Sequence, residues 1–393
     1  MRRSSTWLFR RSGTAFTRLA QGVGAAMMIP AALSILTTSF AEGGDRHKAL
    51  GAWGGVAGLA SALGVFLGGV LAEGPGWRWV FFVNLPFCVL DVIAAYRLVP
   101  AERHRARRAN FDAVGALLAT SGMLLLLYAL VKAPDVGWGK ARTIGELAVA
   151  AALLVAFASN ENRHPNPLFG FSILRIRGLA AADLTQVIAM AGFYSMFFFV
   201  TLYMQTVLGF SQIQAGAAYV PTTFGVAIAS GVSSQLFART GTRPIIIAGA
   251  LLGASGVFWL SRIPVHGSAL SDLLPGLLIM SAGLGAVFVG VTTAAQAGVP
   301  PDKAGLAAAL INTSTWLGGA LGIAVFSALS TSRSHHLLAA HASVHAALTS
   351  GFQRALLACS IAMLTAAVIA LRATNTRGEQ VDVPALEPAL EKA

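Results

Sequence analysis

Residues 58–86 read GLASALGVFLGGVLAEGPGWRWVFFVNLP. An apolar run carries Gly58, Gly64, Gly68 and Gly69, passes through Glu73-Gly74-Pro75-Gly76, and resumes after Trp77-Arg78-Trp79. In a water-exposed helix each glycine costs about 1 kcal/mol relative to alanine. In lipid, helices have little hydrophobic drive toward one another, and small residues let backbones approach closely. Gly54 and Gly58, then Gly64 and Gly68, lie four apart. That spacing predicts flat grooves on one helix for a partner helix to lie against. Beyond the break, Trp77 and Trp79 predict an anchor at the membrane–water boundary for the next helix.

The rest of the chain has the same character. Of 393 residues 55% are hydrophobic and 11% charged. A soluble domain carries roughly 25% charged residues, so this composition predicts a membrane protein. The net charge of +12 sits in short gaps between apolar runs, as loop charge and not as a nucleic-acid surface. Cys88 and Cys359 lie in separate apolar runs, which argues against a disulfide framework. A helix needs about 20 apolar residues to span a bilayer. Eleven runs reach or approach that length: 13–39, 48–72, 78–99, 112–133, 143–158, 178–206, 213–236, 244–261, 271–297, 305–330 and 352–372. The fifth and eighth are short. Unsatisfied backbone groups are prohibitive in lipid, and strand alternation is missing, so the runs are expected to be helices.

The connectors set a direction. With the first helix running inward, inner connectors hold Arg46, Lys48, Arg97, Arg103, Arg105, Arg107, Arg108, Arg163, Arg175, Arg177, Arg239, Arg243 and Lys303. Outer connectors hold only Arg78, Lys132, Lys140, Arg142, Arg262, Arg333 and Arg354. The bias places the first group, and the C-terminal tail, in the cytoplasm. Arg2, Arg3, Arg10 and Arg11 run against it, since they would lie outside.

The sequence also repeats. QGVGAA at 21–26 matches AGLGAV at 282–287, and ALGV at 62–65 matches ALGI at 320–323. Asp45-Arg46 aligns with Asp302-Lys303 between them. Runs one and two therefore recur as runs nine and ten, in the same direction. Parallel repeats of this kind belong to transporters built from two halves about an axis normal to the membrane. Three runs precede the second copy, but only twelve residues precede the first. The expectation is that three helices are missing before Gly13, and that 112–133 and 143–158 are an inserted pair.

Five motifs stand in order: Arg18-x-x-Gln21-Gly22-x-Gly24-Ala25-Ala26; Gly64-Val65-x-x-Gly68-Gly69; Trp77-Arg78-Trp79 with Asn84-x-Pro86; Tyr203-x-Gln205-x-x-x-Gly209-x-Ser211-x-x-x-Ala215-Gly216 ending at Pro221; and Arg239-x-Gly241-x-Arg243. This ordered set resembles the major facilitator superfamily, and within it the fourteen-helix drug:proton antiporters, lacking the first three helices. The set covers nearly all of 13–372. Val65 stands where the fifth-helix antiporter motif has proline. The resemblance implies an all-α polytopic membrane protein, a two-half bundle of about eleven transmembrane helices. Its parts would be a basic segment 1–12, a partial N-terminal half 13–99, a loop and helix pair 100–177, a C-terminal half 178–372 and a tail 373–393. The glycine grooves then serve static packing, a sliding contact between halves, or both.

The implied function is proton-coupled export of amphipathic drugs or metabolites across a bacterial cytoplasmic membrane. Its partners would be a lipophilic or cationic small molecule, protons and the lipid bilayer, with no nucleic acid. Neither cofactor nor metal is expected. The alternatives are a truncated, non-transporting remnant and a multispanning membrane enzyme. Candidate proton-coupling residues are Arg18, Gln21, Asp91 and Asp183. A charge near the bilayer centre costs roughly 2.5–3.5 kcal/mol, so Arg18 should face a cavity or partner. In the family the matching arginine works with an acid of the first helix, which would lie in the missing stretch. On that ground residues 1–393 alone are not expected to export. Desolvation suits a carboxylate to gaining and losing protons. Asp183 lies a few residues from the inner end of its run and Asp91 in the inner half of its own, however, and interfacial, solvated carboxylates are the competing reading. Tyr203 and Gln205 beside Phe193, Phe197 and Phe198 offer a substrate cavity of apolar walls with a few polar groups, or ordinary packing. Gly58, Gly64, Gly68 and Gly69 are the packing candidates. Glu146 reads as an outer helix start. His335, His336, His341 and His345 read as a solvated outer loop before the last helix. Gly22-Val23-Gly24 lacks the third glycine and the strand of a dinucleotide loop, and no phosphate-cradling Gly-Lys-Ser/Thr exists.

Overall fold

The computed structural model describes residues 66–98, 112–164, 178–297 and 304–377, with scattered positions between 21 and 64 and at 167, 168 and 299. The regular structure among them is helical: α1 (Trp79–Leu98), α2 (Ala113–Val136), α3 (Ala141–Arg163), α4 (Leu179–Thr206), α5 (Gln212–Thr240), α6 (Thr242–Leu260), α7 (Leu274–Gln296), α8 (Ala304–Ala339) and α9 (Val344–Ala370). All nine described helices are long and apolar enough to cross a membrane. The protein is an all-α polytopic membrane protein. Runs 13–39 and 48–72 lie largely outside the described residues. The short fifth run lies within α3, which continues on polar residues to Arg163.

One large core ties α4 to α9. Phe193, Met196 and Phe199 of α4 meet Ile246 and Leu260 of α6, Leu277 and Met280 of α7, and Leu356 and Met363 of α9 in it. The helix α4 runs through the middle, packed on α7, α8 and α9. Accordingly it buries residues around most of its circumference, as a helix apolar on all sides does when proteins cover it. The pair α2–α3 packs on itself and touches α8 through α2. Asp112 closes that hairpin. Its Oδ1 accepts the Gly115 amide at 2.8 Å as the N-cap of α2, and its Oδ2 accepts Asn160 Nδ2 at 2.6 Å from the end of α3.

Among the described residues the two copies of the repeat meet different neighbours. A Cβ on Gly283 would strike the α6 backbone at Gly249 and Gly253, and one on Gly322 the α4 backbone at Ala191. Their counterparts Gly22 and Gly64 meet nothing within 4 Å among the described residues.

The EGPG stretch does not interrupt the helix. The chain winds on through Ala72–Gly76 as a wider, π-helical turn containing Pro75. It then turns at Gly76, whose φ of 106° glycine adopts without strain. The four histidines do not form a long loop: His335 and His336 stand on α8, which ends only at Ala339, and α9 already begins at Val344. The Ala- and Leu-rich sequence there has no Pro or Gly to stop a helix, and Ser343 caps α9 by accepting the Ala346 amide at 3.3 Å.

Candidate transport cleft and buried carboxylate

The glycine-rich stretch ends against α5. A Cβ on Gly69 would stand 2.7 Å from the Gln212 carbonyl oxygen, closer than a side chain tolerates. Four residues on, Glu73 Oε2 accepts the Ile213 amide at 3.0 Å. That amide belongs to the first turn of α5, whose N–H groups have no partner within the helix and which favours negative charge. Ser211 and Gln214 complete a capping box there. The bond from Ile213, and then one from Ser211, holds the Glu73 carboxyl below the usual carboxylate range. Gly64 and Gly68 meet nothing within 4 Å among the described residues, whereas Gly69 makes the close approach to α5. Gly58 lies outside the described residues.

Beside this contact lies a cavity of about 250 Å³. One wall is Gly68, Gly69 and Ala72; the other is Thr201 and Gln205 of α4 with Gln212, Ala215, Gly216 and Tyr219 of α5. Thr201 Oγ1 and Tyr219 Oη are 2.9 Å apart, and Tyr219 Oη also donates to the Phe197 carbonyl at 3.1 Å. The Phe197 and Tyr219 rings stack at a tilt, with centroids 5.3 Å apart. Gln205 lines this cavity, and Phe197 packs beside it on Tyr219. Tyr203 and Phe193 do not line it. Tyr203 is fully buried, with its hydroxyl donating to the Pro264 carbonyl at 2.6 Å. Phe193 packs against Gly253 and is enclosed in the core. Successive helical positions turn by about 100°, so residues 203 and 205 point to nearly opposite faces, whereas 197, 201 and 205 share one. Phe198 is exposed and meets Phe199 edge-on. Thr201 and Tyr219 were missed by sequence reasoning; four-residue spacing from Gln205 marks the first, and nothing local marks the second.

Asp183 differs from the interfacial expectation. It is 9% exposed, enclosed where α4 meets α8. Ser314 Oγ donates to its Oδ1 at 3.3 Å, and Oδ2 has no partner among the described residues. One turn on, Gln186 Nε2 donates to Thr315 Oγ1 at 2.9 Å. The burial follows from Gly318 and Gly322, which bring α8 onto the α4 backbone at Val187 and Ala191. Asp91 is exposed on α1, which buries no residue. Gln21 is helical and exposed, and Arg18 lies outside the described residues.

Nine helices among the described residues are long and apolar enough to cross a membrane, and they define a multispanning membrane protein. The comparisons make this specific: residues 4–323 match the model of the Major Facilitator Superfamily, and the chain belongs to that family. It is 35% identical over 343 residues to the puromycin resistance protein of Streptomyces alboniger, covering 86% of this chain and 68% of that one. It is 32% identical over 317 residues to the tetracenomycin C resistance and export protein of Streptomyces glaucescens, covering 80% and 58%. It is 36% identical over 311 residues to the cephamycin export protein of Amycolatopsis lactamdurans, covering 78% and 64%. The match thus spans about three fifths to two thirds of the length of these relatives.

Proposed function

We propose that the protein formed by this chain exports lipophilic or cationic small molecules across the bacterial cytoplasmic membrane, by alternating access and in exchange for protons. The names of its relatives, which are resistance and export proteins for puromycin, tetracenomycin C and cephamycin, support the export of small molecules. The observation that carries the reading is the cavity shared by the Gly68–Ala72 segment and by α4 and α5. Relative movement of its two walls opens or closes it. At about 250 Å³ it falls below the roughly 300–1,000 Å³ of drug-sized clefts, so substrate is accommodated when the walls part. Gln205, Thr201 and Tyr219 supply neutral hydrogen-bonding groups, and Phe197 an aromatic face, a lining that tolerates a lipophilic cation. Asp183 is the proposed proton carrier: a buried charge with an unpartnered oxygen is costly, and a proton on Oδ2 removes that cost. Arg18 and Gln21 keep the coupling role that the family resemblance implies for them. Asp91, exposed on α1, fits a solvated carboxylate.

Binding of a fluorescent lipophilic cation to the purified protein tests the cleft. Gln205→Leu should weaken binding roughly three- to tenfold, the value of one hydrogen bond. Tyr203→Phe, altered on the core side of the same helix, should leave it unchanged. Unchanged affinity in Gln205→Leu, or an equal loss in Tyr203→Phe, would place the substrate elsewhere.

A further inference from the structure

A second cavity, of about 550 Å³, lies apart from the cleft, among the ends of α6, α8 and α9. Arg262, Arg333 and Arg354 converge on it, one from each helix end. They are three of the seven basic residues on the side of the membrane that the charge bias leaves poor in them. Among the described residues none of the three pairs with a carboxylate, unlike Arg142 on that same side, whose Nε bonds Glu146 at 2.8 Å. Arg333 Nε donates to Ser350 Oγ at 3.2 Å, and the Arg262 guanidinium stands 4.8 Å from the Phe258 ring centroid. Gln353 Nε2 donates to the Ile263 carbonyl at 2.8 Å and braces the end of α6 against α9.

The same cavity has an apolar side. Phe258 and Leu329 lie one turn before Arg262 and Arg333, and Leu357 and Ile361 lie one and two turns after Arg354. Because α9 runs back from the end that α6 and α8 reach, all four sit deeper toward the bilayer centre than the arginines. All four are exposed. The surface is thus layered: guanidinium groups at the level of lipid headgroups, bare hydrocarbon below.

We propose that this cavity binds an anionic phospholipid, its phosphate between the three guanidinium groups and its acyl chains along the four apolar side chains. Guanidinium forks match phosphate oxygens in bidentate geometry. A free anion would satisfy the arginines but leave the hydrocarbon wall without a role. The inference rests on no part of the transport reading.

The test mixes the purified full chain with phosphatidylglycerol and phosphatidylcholine and measures retained lipid by native mass spectrometry. The wild type should retain phosphatidylglycerol in preference. Replacing Arg262, Arg333 and Arg354 together by Gln should cut that retention about tenfold, and Arg354→Gln alone about threefold. Lysine at all three positions should retain more than glutamine, and Arg142→Gln should change nothing. Millimolar inorganic phosphate should not displace the lipid. Equal retention by the wild type and a folded glutamine variant, triple or single, would overturn the proposal. So would equal retention of the two lipids, or displacement by phosphate, which would mark a free-anion site.

Discussion

Glu73 touches the first turn of α5 only in its ionised form's favour. The Ile213 amide bonds Oε2, and this holds the carboxyl below the ordinary glutamate value of about 4.3. A depressed folded-state value means that the contact contributes fully above the unfolded value and is lost as pH falls through the folded one. At neutral pH the contact is intact, and acidification through the lowered folded-state value should release the Ala72–Gly76 turn from α5. The 15N-labelled Ile213 amide reports it: its shift should titrate with a midpoint below that of an ordinary glutamate, and Glu73→Ala should remove the transition. A midpoint at or above the ordinary value would show that the bond does not form. Asp183 is enclosed between helices, with one hydroxyl donor among the described residues. Its sequence neighbours Ala180, Ala181, Ala182 and Leu184 signal only an apolar run; its burial depends on Ser314 and Gly318, more than a hundred residues away.

Packing between elements is decided by single small residues. Gly69 is where the glycine-rich stretch meets α5, and leucine there would drive a branched side chain into the Gln212 carbonyl. Overpacking costs typically about 1–3 kcal/mol, so Gly69→Leu should reach the membrane yet lose cation binding, while Gly64→Leu, in open space among the described residues, should be milder. Equal binding by Gly69→Leu and the wild type would mean that the contact has no part in the cleft. The helices themselves were legible in the sequence, because lipid forces any long apolar run to satisfy its backbone internally. Their ends were less so. Hydropathy stops at the hydrocarbon edge, but α8 and α9 continue past it on Ser, His and Ala until the Ser343 cap. The cleft was half legible. Gln205 stands out as an amide in an apolar helix; Tyr219 joins it only because α5 folds back beside α4, a pairing no local pattern encodes.

Across the whole molecule, the second copy of the repeat is seated on earlier helices. The motif copies at Gly283 and Gly322 rest on α6 and α4, the helices that precede them, and α4 also carries Asp183 and one wall of the cleft. A single helix thus joins the proposed proton site to the proposed substrate site. Any shift of α4 that follows protonation at the α8 seam moves Thr201 and Gln205 as well, the coupling that exchange requires. Efflux of a fluorescent cation from proteoliposomes carrying the transporter, under an imposed pH gradient, tests this most directly. Efflux should require the gradient, stop when a protonophore collapses it, and fall at least about tenfold, or 1.4 kcal/mol in the barrier, in Asp183→Asn. Efflux that persists without the gradient, or that Asp183→Asn leaves at the wild-type rate, would contradict proton exchange through α4.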